Sequence, residues 1–105
     1  MNRDIYKFSF KDHVPLKEVE ESLLLAVLAA ECLQGRSRVR MEASFRLDKE
    51  KRSCVIDAGT EVGSNIARIF TGFLAREFGE EAFRVERSAD LGDVGARQGA
   101  VGSAP

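Results

Sequence analysis

The sequence predicts a small α+β domain in which four strands and two helices follow the order β-α-β-β-α-β. Three observations predict it. Apolar residues recur with period two in four separate runs, two longer runs carry them at helical spacing, and a glycine closes each helical run. The composition agrees: 105 residues, 44% hydrophobic and 31% charged, suffice for one core and are too few for two.

Ile5 to Phe10 is the first strand, with Tyr6, Phe8 and Phe10 on one side and Lys7 and Ser9 on the other. Lys11 to Val14 connects it to a helix opened by Pro15, whose missing N–H is harmless in a first turn. Glu18, Glu20 and Glu21 complement the helix dipole there, and Gly35 ends the run after Leu33 or Gln34. Arg38 to Asp48 then alternates over its whole length. Val39, Met41, Ala43, Phe45 and Leu47 are expected to point inward, and Arg38, Arg40, Glu42, Ser44 and Arg46 outward. A polar tip, Asp48 to Lys51, leads into a third strand, Arg52 to Ala58, with Cys54, Ile56 and Ala58 on one face. The turn Asp57-Ala58-Gly59-Thr60 starts a second helix over Glu61 to Phe78, where Val62, Ile66, Ile69, Phe70 and Phe73 share a stripe and Gly79 is the stop. A short last strand spans Ala82 to Arg87.

From residue 88 the pattern disappears. Residues 88–105 contain four glycines and four alanines and no aromatic side chain, so too little apolar surface offsets the entropy of ordering them. The expected organisation is a globular domain over residues 1–87 and a flexible Gly/Ala-rich tail over 88–105.

This order resembles the ferredoxin-like fold: a two-layer βαββαβ sandwich whose four-stranded antiparallel sheet carries two helices on one face. The resemblance is one of topology over residues 4–87 and brings no function with it. Metal-binding members of that fold need paired cysteines in the loop after the first strand, and Lys11-Asp12-His13-Val14 has none. RNA-binding members display aromatics outward from the two central strands, where this chain has Lys7, Ser9, Val55 and Asp57. The turn Asp57 to Thr60 resembles, over four residues, the phosphate-1 loop of actin- and hexokinase-like ATPases. Those proteins need a second loop and a second domain, so a helix cap is the expected role, with anion binding by Asp57, Gly59 and Thr60 as the alternative.

No catalytic group, metal site or cofactor is expected. His13 is the single histidine and stands without a sequence neighbour of catalytic type, and Cys54 has the parity of a small core residue. Two isolated cysteines and no signal peptide fit a cytoplasmic protein, and the longest apolar run, Leu23 to Ala30, is far below the roughly 20 residues a bilayer requires. The net charge of −1 gives no whole-molecule attraction to nucleic acid or membrane.

Two surfaces stand out. With Leu16, Val19, Leu23, Val27 and Ala30 facing the sheet, Leu25, Leu28, Ala29 and Cys32 fall on the opposite side of the first helix, an apolar patch of the kind that marks an interface. The leading expectation is therefore a non-catalytic interaction module whose protein partner is most simply a second copy. The alternative is nucleic-acid or polyanion binding by Arg38, Arg40 and Arg46 on one strand face with Lys49, Lys51 and Arg52 at the hairpin.

Overall fold

The computed structural model describes residues 4–88. Its elements are β1 (Ile5–Phe10), α1 (Leu16–Gln34), α2 (Arg36–Glu42), β2 (Phe45–Asp48), β3 (Ser53–Asp57), α3 (Glu61–Phe78), a 3-10 turn (Glu80–Ala82) and β4 (Phe83–Ser88). The strands form one antiparallel sheet in the order β2-β3-β1-β4. The class is therefore α+β, with three α-helices where the sequence predicts two. Ser88, placed in the predicted tail, is the last residue of β4, and the rest of that stretch, 89–105, lies outside the described residues.

Residues 36–42 are the principal correction. The alternation from Arg38 reads as one long strand, yet only Phe45–Asp48 is extended. Gly35, at φ 91°, turns the chain out of α1, and α2 starts at the next residue. The pairing of side chains fits a helix and not a strand. Arg38 Nε donates to Glu42 Oε2 at 3.1 Å and its Nη2 to Glu61 Oε1 at 2.9 Å. Residues four apart are neighbours on a helix but roughly 13 Å apart along a strand. Val39 alone faces the core, and Met41, expected inside, is 85% exposed.

The sheet registers confirm the parities of the other strands. Phe45, Ile56, Tyr6 and Arg87 lie in one cross-strand row, and Leu47, Cys54, Phe8 and Val85 in the next. This face meets α1 and α3 in a single core built on Phe8, Phe10, Val19, Leu23, Ile56, Val62, Ile66, Phe70 and Leu74. The rings of Phe8 and Phe70 stack edge to face with centroids 4.9 Å apart. The reverse face presents Lys7, Ser9, Arg46, Asp48, Val55, Asp57, Arg84 and Glu86.

The β2–β3 hairpin is tied down at both ends of its loop. Asp48 Oδ1 accepts from the amides of Glu50 and Lys51, both at 3.1 Å. Arg52 adopts φ 51°, the left-handed conformation that commonly closes such loops. From there its Nη2 donates to the carbonyls of Lys11 (2.6 Å) and Val14 (2.5 Å). The hairpin base is thereby fastened to the β1–α1 connection.

Candidate functional site

Helix α1 has more apolar surface than its packing uses. Val19, Ser22, Leu23, Ala26 and Ala30 are buried, and Leu16 and Val27 pack against the core while partly covered. Leu24, Leu25 and Leu28 are each 55% exposed, Cys32 is exposed and Ala29 half-buried. The predicted patch thus faces outward, and Leu24 joins it. Sequence reasoning missed Leu24 because a stripe centred on Leu23 gives its neighbour no assigned side. In the fold Ser22 and Ala26 are buried as well, which turns the buried arc away from Leu24 and leaves it on the outer side. Leu33, at the end of the helix, is 69% exposed.

Exposed charge precedes and follows this face along the chain. Glu18 and Glu21 are exposed at its N-terminal end, and Arg36 and Arg40 are exposed on α2, just past its C-terminal end. Among the described residues, none of these four makes an ion pair. Their neighbours do: Lys49 Nζ lies 3.4 Å from Glu20 Oε1, and Arg38 binds Glu42 and Glu61. Both flanking carboxylates hold the Arg38 guanidinium even more firmly protonated, the hydrogen bond to Glu42 being the largest influence.

Arg38, Arg40 and Arg46, expected together on one strand face as part of a polyanion site, do not share one. Arg38 and Arg40 belong to α2, Arg46 to β2, and Lys49, Lys51 and Arg52 to the hairpin. Arg38 and Lys49 are engaged by carboxylates, and Arg52 is engaged by two backbone carbonyls with its Nε 4.0 Å from Asp12. The stripe that motivated this reading depended on the strand that α2 replaces.

The turn before α3 is a cap. Thr60 Oγ1 accepts from the amide of Gly63 at 3.0 Å and lies 3.2 Å from the Glu42 carbonyl, to which it donates. Asp57 Oδ1 accepts from the amide of Gly59 at 2.9 Å. Two of the amides that would cradle an anion, those of Gly59 and Gly63, are thus already satisfied, and the carboxylates of Asp57 and Glu61 flank the turn. Gly63 is required by close approach: a Cβ there would sit 1.9 Å from the Asp57 carbonyl oxygen. That need accounts for a glycine in the first turn of a helix.

Other chemistry is sparse. Burial pushes the Cys54 thiol up to about 12, which leaves it a protonated core residue at neutral pH. Among the described residues no group of His, Cys, Asp and Glu could hold a metal ion, and no helix is long and apolar enough to cross a membrane. Comparison with protein-family models, with curated proteins and with solved structures gave no significant match.

Proposed function

We propose that this protein is a non-catalytic interaction module that self-associates through the outer face of α1. The observation that carries the reading is the exposure of Leu24, Leu25 and Leu28 at mid-helix, each 55% open to solvent. Covering a half-exposed leucine contributes roughly 1 kcal/mol, so the six of a symmetric pair contribute about 6 kcal/mol. Immobilising two proteins costs about 4–15 kcal/mol, so the leucines alone roughly balance the low end of that range. A stable pair needs the rest of the face as well, and association is expected to depend on concentration. A second copy suits the patch because an isologous contact lets one apolar surface cover its twin.

The test is sedimentation of the wild type from about 10 to 500 μM beside Leu25→Asp/Leu28→Asp. The expected result is a rise in mass with concentration that the variant lacks while keeping its fold by circular dichroism. A wild type that stays monomeric throughout would overturn the reading.

We propose further that the scaffold is a ferredoxin-like fold with α2 added between the first crossover helix and its strand. The antiparallel order β2-β3-β1-β4 and the shared core of α1 and α3 with the sheet support this.

A further inference from the structure

We propose that the two copies meet with their α1 helices antiparallel, Glu18 and Glu21 of each copy lying toward Arg36 and Arg40 of the other. This rests on the self-association proposed above and adds the orientation, which the leucines do not determine.

Position on the helix is the first argument. Helix α1 spans Leu16–Gln34, so its midpoint is Leu25, inside the leucine patch. A two-fold axis across the helix between Leu25 and Leu28 superposes patch on patch and overlaps the helices along nearly their full length. At 3.6 residues per turn, Leu24, Leu28, Glu21, Cys32, Leu25 and Glu18 follow one another around one arc of about 120°. In this arrangement Leu25 faces Leu28 of the second copy, Glu21 faces Cys32, and Glu18 comes within a turn of Arg36.

Charge supplies the second argument. The N-terminal end of the face carries Lys17, Glu18 and Glu21, a net negative end, whereas Glu31, Arg36 and Arg40 make the other end net positive. A parallel pair would set like end against like, with Glu18 and Glu21 opposing themselves. An antiparallel pair sets each negative end against a positive one. Helix dipoles act in the same sense, and α1 has no basic residue in its own last turn. The arginines and carboxylates at issue are also those left over by the fold. Glu20 is taken by Lys49 and Arg38 by Glu42 and Glu61, whereas Glu18, Glu21, Arg36 and Arg40 have no ionic partner among the described residues. Helix α2 places Arg36 and Arg40 one turn apart, on the side away from Arg38 and Glu42.

Complementary charge reversal tests the orientation. Glu18→Lys/Glu21→Lys and Arg36→Glu/Arg40→Glu are each expected to weaken self-association about tenfold, because each places like charges at both ends of the pair. An equimolar mixture of the two is expected to associate at least as well as wild type, now as a mixed pair, and wild-type association is expected to weaken with added salt. Circular dichroism and melting of each variant verify that it folds. If both charge variants associate like wild type while Leu25→Asp/Leu28→Asp does not, the antiparallel orientation is overturned and the α1 contact stands. If Glu18→Lys/Glu21→Lys associates more tightly with wild type than wild type does with itself, the pair is parallel. If the leucine variant associates like wild type, the α1 contact itself is overturned.

Discussion

Helices α1 and α3 lie side by side and share a core, yet they treat solvent differently. Toward the core α3 turns Val62, Ile66, Ala67, Phe70 and Leu74, and outward it shows Glu61, Arg68, Gly72 and Arg76. Helix α1 meets the core largely through small or medium side chains, Val19, Ser22, Ala26 and Ala30 with Leu23, and places three leucines in water. A helix whose only task is to cover a sheet resembles α3. The contrast teaches that the leucines of α1 serve neither its own packing nor that of α3, which makes the outer face of α1 the place to look for function.

Substitution on the inner and outer sides of both helices sharpens this contrast, and the inner changes should be largest. Phe70→Ala removes a fully buried ring in edge contact with Phe8 and is expected to lower unfolding free energy by about 3–5 kcal/mol in urea titration. Gly63→Ala is expected to fall in the same range because its methyl group meets backbone, which has no rotamer to move to. On α1, Leu23→Ala is expected to cost about 2–4 kcal/mol, but Leu24→Ala within about 0.5 kcal/mol when measured on the monomer at low concentration. A large loss at Leu24 would mean that the outer face supports the fold, and the comparison would fail. On the outer side of α3, Gly72→Ala meets nothing within 4 Å and is expected to raise stability by about 0.5–1 kcal/mol.

Alkaline titration probes the core between the helices and the sheet. The Cys54 thiol is raised to about 12 in the folded protein from an ordinary 9.0, so between those values the unfolded chain releases a proton that the folded one keeps. Stability is therefore complete below pH 9 and falls above it, by up to about 1.4 kcal/mol per pH unit from this group. The expected observation is a shallower decline for Cys54→Ala than for wild type across pH 9–11, measured by chemical denaturation at each pH.

How much of this was legible in the sequence follows from where local pattern and tertiary contact agree. Both long helices end within a residue of their expected limits because Gly35 and Gly79 stop them by backbone conformation, a local effect. The outward position of Leu25, Leu28 and Cys32 was legible for the same reason, since helical spacing fixes which residues oppose Val19 and Leu23. Residues 36–42 were not legible. Val39, Met41 and Ala43 sit at every second place, as a strand demands, but the segment is helical with only Val39 buried, and one of the two carboxylates on Arg38 lies 23 residues away, beyond any local pattern. The basic stripe vanished with that strand. Arg52 was read as a surface charge because nothing in its neighbourhood reveals the carbonyls of Lys11 and Val14.

Helix α2 also limits how the sheet can be copied. Had residues 38–48 all been extended, the outer strand beside β3 would have offered eleven residues of unpaired backbone to any other chain. With α2 in place β2 has four residues, too short a template for stable strand addition. One turn of the chain at Gly35 thus removes most of an aggregation-prone edge on the β2 side of the sheet.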